Sequence, residues 1–543
     1  MAPRLANHKQ LLAGVGLLLL TASYSPVFLL TLAPVYGSAP SNIFHNYGLA
    51  LVAVAGWFLK DQIQKLSNGR AVYLVPVLAF WVPTIQFILF QLSSSLGNLA
   101  GPIITDLFAF YPLVLLSVAC ARKLIQVGLD LDYSGDIVAD HVPLLSSYVV
   151  YSVGDNFAKV AIAECLGYTF FLTRAGMQFL LAILYSAVVP SKWLLLAIPS
   201  ILFSLTSNVH LPLPQLTGVL NSAIQKEGYT MLARQDSSTG YISVLENVDE
   251  GYRVMRCDHS LLGGEFTKMP QNYNPAVKDP VYAVFVMLEA VRLVETEKGE
   301  PRTDADSRAL VIGLGIGSTP AALINHGIET TVVEIDPVVH QFALQFFHLP
   351  QNHIAAIEDA TAFVERARNS QKYDYIVHDV FTGGAEPAEL FTIEFLSGLY
   401  SLLKPDGVIA INYAGDITLY PAKLIVRTIQ TVFPSCRIFR ESAESSDNHF
   451  TNMAIFCKKS SSASPLRFRE PIRADFLGSM SREEYLMPKH EIDPAVFAHV
   501  EAGGRAVLRA DEASLLNKFR DRSALDHWTL MRQVLPDAVW ENW

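Results

Sequence analysis

The chain has 543 residues, half of them hydrophobic, and a formal net charge of -10; it is too long for one core, so at least two domains are expected. No basic stripe is concentrated enough to neutralise phosphates, which argues against nucleic acid as a partner. The five cysteines (Cys120, Cys165, Cys257, Cys436, Cys457) show no paired spacing, so neither a zinc site nor a disulfide framework is expected and they read as packing residues.

Residues 1–210 are dominated by apolar stretches and predict an α-helical polytopic membrane domain. The stretches 11–33, 43–59, 71–92 and 101–121 each approach the ~20 residues that cross a bilayer. Two shorter ones, 175–189 and 193–208, flank Pro190-Ser191-Lys192 and suit a helical hairpin. After the fourth long stretch, 143–172 is apolar but holds Asp155, Lys159 and Glu164, which are costly at membrane depth unless paired or facing a cavity. Basic residues before the first span (Arg4, Lys9), after the second (Lys60, Lys65, Arg70) and after the fourth (Arg122, Lys123) place those segments on the cytoplasmic side. The reading is an integral, multi-pass protein with six spans, 143–172 interfacial or re-entrant, and its soluble part in the cytosol.

From about 215 charged residues become frequent. GYISVLE, YRVMRCD and HSLLGGEF predict a small antiparallel sheet. The segment 279–295 then predicts a helix with Asp279 as cap and Pro280 in its first turn. From Arg308 strand and helix alternate: ALVIGLG, TPAALINHG closed by Gly327, TTVVEID, PVVHQFALQFF, YDYIVHDV, FTIEFLSGLYSLL, GVIAINY and MAIFCKK. Such alternation implies a parallel sheet with helices on its faces and ligands beyond the carboxyl ends of its strands. The expected fold over 215–458 is therefore an α/β Rossmann-like domain preceded by a small antiparallel β-sheet. Residues 459–543 read as a Ser-rich linker and a helical extension in which Trp528, Trp540 and Trp543 imply burial.

In VIGLGIGSTP, Gly313, Gly315 and Gly317 allow a tight strand-to-helix turn and close backbone approach of a ligand. Glu334 ends the next strand about 20 residues later, where an acidic side chain holds ribose hydroxyls. The dinucleotide form of the motif wants Gly or Ala where Ser318 stands, so the match to it is incomplete.

VIGLGIGSTP, TVVEIDP, IEDATAFV, YDYIVHDVF and LLKPDGVIAIN, in this order and spacing, resemble the S-adenosylmethionine-dependent transferases of the spermidine synthase-like group, within the methyltransferase superfamily. The resemblance implies that the three glycines face the methionine end of the cofactor, that Glu334 meets its ribose, and that Asp359 with Ala360 reaches the adenine. It implies a catalytic or substrate-orienting role for Asp379, with capping of the following loop as the alternative. Tyr282 resembles a tyrosine of the polyamine pocket and is equally a core aromatic. His378 alternates away from Asp379 and reads as packed.

Two departures weigh on the reaction. Where spermidine synthases place an aspartate for the amino group of decarboxylated S-adenosylmethionine, this chain has Ile316; where they hold the distal ammonium of a diamine, it has Thr382. An unpaired ammonium in a partly dehydrated pocket costs on the order of several kcal/mol. The expected activity is thus methyl transfer from S-adenosylmethionine to a small-molecule or protein acceptor, with no metal. Aminopropyl transfer from the decarboxylated cofactor, and a non-catalytic sensor attached to a membrane domain, are the alternatives. Homodimerisation is left open.

Overall fold

The computed structural model describes residues 2–543 except 131–135, 271–272, 298, 300–301, 369, 371, 381–386, 444–449, 461–465 and 500–503. It divides into two compact units, Met1–Tyr241 with His527–Trp543, and Ile242–Asp526.

The first unit is helical. His8–Tyr36, Ser38–Leu66, Ala71–Phe90 and Ser93–Gly128 are long and apolar enough to cross a membrane, whereas Arg174–Val188 and Lys192–Thr206 are shorter apolar helices. Leu17, Tyr24, Phe28, Phe110 and Tyr185 form the centre of its core, all fully buried. Three polar groups in this core satisfy one another, as burial favours. Ser25 Oγ lies 3.0 Å from His45 Nε2, and His45 Nδ1 lies 2.9 Å from Asp106 Oδ1. The charged stretch noted above belongs to the helix Asp136–Cys165. There Lys159 Nζ donates to Asp155 Oδ2 at 2.6 Å, one helical turn away. The strand Tyr229–Asp236 (β1) also belongs to this unit. Trp528, Trp540 and Trp543 are buried, the first donating its indole N–H to the Val35 carbonyl at 2.9 Å.

The second unit begins with the antiparallel strands Tyr241–Asn247 (β2), Tyr252–Cys257 (β3) and Ser260–Phe266 (β4), in the register Val244↔Met255 and Val254↔Gly264. The main sheet follows: Arg308–Ile312 (β5), Glu329–Glu334 (β6), Ile354–Ile357 (β7), Tyr373–His378 (β8), Leu403–Asp416 (β9), Ser435–Arg440 (β10), Phe450–Lys458 (β11) and His490–Ile492 (β12). Their order is β12-β10-β11-β9-β8-β5-β6-β7. The run β9-β8-β5-β6-β7 is parallel and β11, β10 and β12 are antiparallel additions. ALVI in β5 and YIVH in β8 are buried throughout, as strands covered on both faces must be. The chain leaves β5 toward β6 on one side and reaches β8 on the other, so the reversal of strand order falls between β5 and β8, where open α/β sheets bind ligands.

Three expectations are corrected. The helix expected over 279–295 is an α-helix over Ala283–Leu288 continued by a 3₁₀ turn, Glu289–Leu293. Residues 279–281 instead run extended beside β4, with Phe266 N–H donating to the Asp279 carbonyl and Val281 N–H to that of Gly264. The Asp279 carboxylate is bonded to Tyr273 and Ser479 and caps nothing. Cys436 and Cys457 are joined as a disulfide, because the β10–β11 register sets them opposite each other with Cα atoms 4.1 Å apart. The strands β7, β10 and β12 escape the alternation pattern; β7 and β12 are only four and three residues long.

The helix over Ala283–Leu288 is held in place from the residue after it. Glu289 and Arg482 are almost fully buried and form a bidentate pair, both N–H···O distances 2.8 Å. Arg482→Met would strand the Glu289 carboxylate in the core, at a cost of about 3–5 kcal/mol. The expected outcome is a lower midpoint in thermal unfolding of the full chain, largely restored in the double variant Arg482→Met, Glu289→Leu.

Candidate active site

The turn after β5 is shaped by its glycines. Gly313, Gly315 and Gly317 have φ of 86°, 54° and 87°, a region costly for residues with a Cβ. Two of them also lack room for one. A Cβ on Gly313 would lie 2.0 Å from the Asp379 carbonyl oxygen, and one on Gly315 would lie 2.5 Å from that of Leu262 in β4. The turn is thus pressed between the end of β8 and the small antiparallel sheet, and Gly317 hands the chain to the helix Ser318–Asn325.

A shallow cleft opens over this turn, lined by Gly313, Leu314, Ile316, Ser318, Phe285 and Asp379 among others. Ile316 is buried, and its Cγ1 would lie 3.1 Å from a Cβ on Gly263; the hydrocarbon is seated on a glycine of β4. Asp379 is the single carboxylate among the described lining residues.

Glu334, at the end of β6, is buried. Its Oε2 accepts from the Leu314 N–H at 3.0 Å and its Oε1 from the Asp336 N–H at 2.9 Å. The first bond ties β6 to the glycine turn, and each oxygen keeps a lone pair for a hydroxyl donor. Burial pushes this carboxyl up to about 7, against the pull of those amides.

Asp359 follows β7, beside β6. Its Oδ1 caps the helix Ala360–Ala367, accepting from the N–H groups of Thr361 and Ala362 at 2.8 and 3.1 Å. That geometry leaves Oδ2 and the Ala360 N–H outside the cap. Burial raises its carboxyl, but the hydrogen bonds from Thr361 and Ala362 outweigh that and lower it.

Asp379 is half-buried immediately after β8, with its N–H donating to the Ile312 carbonyl at 2.9 Å. Burial pushes its carboxyl up to about 6, held back by a 2.8 Å hydrogen bond from Asn412 Nδ2. Such a group is mostly ionised at neutral pH yet basic enough to take a proton. His378, one residue earlier, points the other way; it is fully buried against Phe391 and Phe395, ring centroids 4.9 and 5.8 Å away, and burial pushes its imidazole down to about 4.

The structure therefore brings together Gly313, Gly315, Gly317, Glu334 and Asp379, with Asp359 and Ala360 at the next strand end. Tyr282, just before the helix Ala283–Leu288, does not line the cleft; Phe285 within that helix does, the two rings 6.1 Å apart. Burial, and then the charge of Glu441, push the Tyr282 phenol up to about 12. Thr382 lies outside the described residues. Residues absent from the sequence reading are Asn412, Phe285 and the β4 pair Leu262 and Gly263. Asn412 carried one signal, a lone amide in the apolar run GVIAINY, but its meeting with Asp379 depends on the β8–β9 register.

Because its carboxyl is raised in the fold, Glu334 holds its proton in the native state over a pH range where the unfolded chain has lost it. Native stability should therefore fall as pH rises from about 4.5 to about 7, by roughly 3 kcal/mol at most. Glu334→Gln resembles the protonated form, so thermal unfolding at pH 5 and pH 8 should show wild type declining relative to the variant as pH rises.

Residues 300–462 match the spermine/spermidine synthase domain family. The whole chain is 61% identical to an N-terminal histidine N-methyltransferase of Emericella nidulans, covering 98% of both chains. A polyamine aminopropyltransferase of Vibrio vulnificus is 32% identical over 41% of this chain and 72% of its own. Among solved structures, human methyltransferase-like protein 13 in complex with SAH aligns over 39% of this chain and 91% of its own, at 22% identity and a TM-score of 0.27. The chain belongs to the family of the Emericella N-terminal histidine N-methyltransferase and is an S-adenosylmethionine-dependent methyltransferase built on a spermidine synthase-like domain.

Proposed function

We propose that this methyltransferase acts on an N-terminal histidine of a protein, with Asp379 as the base that orients and deprotonates the acceptor nitrogen. The observation that carries the reading is a single carboxylate, raised to about 6, in an otherwise apolar stretch of cleft beside Ile316. The 61% identity to an N-terminal histidine N-methyltransferase supports the acceptor.

Bound S-adenosylmethionine supplies an electrophilic methyl group on a sulfonium. For this chain, catalysis then rests on aligning a neutral nitrogen with that carbon and on removing the proton it sheds. Glu334, with free lone pairs on a buried carboxylate, suits the ribose hydroxyls. Asp359 Oδ2 and the Ala360 N–H are an acceptor and a donor suited to the adenine edge. The open backbone of the glycine turn suits the methionine end. Ile316 offers nothing to the free ammonium of an aminopropyl donor, and that favours the intact cofactor.

We further propose that the first unit is embedded in a membrane. Its four long apolar helices support this, as do outward-facing Leu51, Phe58, Leu145, Phe157 and Leu202, each more than half exposed. With six crossings the catalytic unit faces the cytosol.

Binding, turnover and membrane measurements test these readings. The full chain should bind S-adenosylmethionine at least tenfold more tightly than its decarboxylated form in calorimetry, and methylate a synthetic peptide that begins with histidine. Asp379→Asn should abolish turnover while leaving cofactor affinity within about threefold; undiminished turnover would remove Asp379 from the base role. For the membrane reading, the protein should stay in the membrane pellet after alkaline carbonate extraction, and a glycosylation tag placed after Trp543 should remain unmodified. Glycosylation of that tag would overturn the cytosolic placement.

A further inference from the structure

Asn412 is half-buried and is the first polar side chain after the buried run Val408–Ile411 of β9. The parallel register pairs His378 of β8 with Ile411 of β9, so Asp379 and Asn412 are the next residues along two neighbouring strands. Asn412 Nδ2 donates to Asp379 Oδ1 at 2.8 Å. Since an ionised carboxylate only accepts, this bond also determines which way round the amide sits. Asn412 Oδ1 must then face away from that bond. It is buried and has no hydrogen-bond partner among the described residues. Buried amide oxygens are rarely left so, and each such group calls for an explanation.

A ligand N–H would satisfy it. We infer that Asn412 is a positioning residue that locks the Asp379 carboxylate with its amide N–H and presents its own Oδ1 to an N–H of the acceptor. The inference rests on the reading of Asp379 as the base. Two hydrogen-bond acceptors, Asp379 Oδ2 and Asn412 Oδ1, suit an acceptor with two N–H bonds to donate and a free lone pair, such as a primary amine. They repel a carboxylate and leave a phenol, with one hydrogen to donate, half satisfied. The pair therefore selects nitrogen over oxygen acceptors and turns the nitrogen so that its lone pair is free for the methyl carbon.

The test compares full-length wild type, Asn412→Ala, Asn412→Asp and Asp379→Asn on one histidine-initiated peptide. Cofactor affinity is measured for each, and the pH dependence of kcat/KM for each that turns over. The acceptor's own titration is common to all, so differences belong to the enzyme. The hydrogen bond from Asn412 favours the ionised Asp379; in Asn412→Ala the acid limb should move up by about one pH unit, a roughly threefold loss near pH 6.5 that vanishes by pH 8.5, added to a roughly tenfold loss at every pH from the missing contact to the acceptor. Asn412→Asp sets a second carboxylate against the first and should move the limb further in the same direction. Cofactor affinity within about threefold of wild type shows that each variant is folded. Loss by one constant factor at every pH, or no loss, overturns the proposal. Turnover by Asp379→Asn overturns the parent reading whatever Asn412 does; an inactive Asp379→Asn beside unshifted Asn412 variants sinks this inference alone.

Discussion

The catalytic unit depends on one close approach, that of the Gly313 α-carbon to the carbonyl oxygen of Asp379. A methyl group there would sit 2.0 Å from that oxygen, well inside any van der Waals contact, so the exit turn of β5 can lie against the end of β8 only with glycine. Everything in the cleft is referred to that contact. The turn's amide at Leu314 reaches Glu334 on one side, and Asp379 meets Asn412 on the other. Gly315 extends the same closeness to the Leu262 carbonyl, which brings the small antiparallel sheet down as a wall of the site.

Charge in this site is placed sparingly. Glu334 and Asp379 are both pushed above the ordinary carboxylate range by burial, and among the described residues neither has a cation beside it; what holds them is backbone and side-chain amide. Such groups are poor stabilisers of the empty fold but ready acceptors for neutral hydroxyls and for a proton. That combination suits a reaction in which the positive charge arrives with the cofactor and leaves the sulfur during transfer. Ile316, seated on Gly263, keeps the neighbouring wall apolar, and the absence of a carboxylate at that position separates this site from an aminopropyl-transfer site more sharply than the shared fold does.

The helical unit solves a different problem with the same rule. Its buried hydrogen-bonding groups, Ser25, His45 and Asp106, come from three sequence-distant segments and satisfy one another. Lys159 and Asp155 neutralise each other within a single helix. Groups that would be prohibitive singly in an apolar surrounding are tolerated as pairs.

The glycine spacing, Glu334, Asp359 and Asp379 were legible in the residues because each is local: a turn that needs positive φ, and carboxylates at the ends of apolar runs. The alternation of strand and helix likewise announced a parallel sheet, and Ile316 pointed to methyl transfer. Only tertiary structure decided what depends on register and packing. The β8–β9 pairing sets Asn412 beside Asp379, the β10–β11 pairing sets Cys436 against Cys457, and the run of 279–281 beside β4 delays the helix to Ala283. That delay leaves Tyr282 before the helix and Phe285 within it, and Phe285 lines the cleft. Spacing along a chain specifies which side chains share a strand end, but which strand lies next to it is a property of long-range hydrogen bonding that no local pattern encodes.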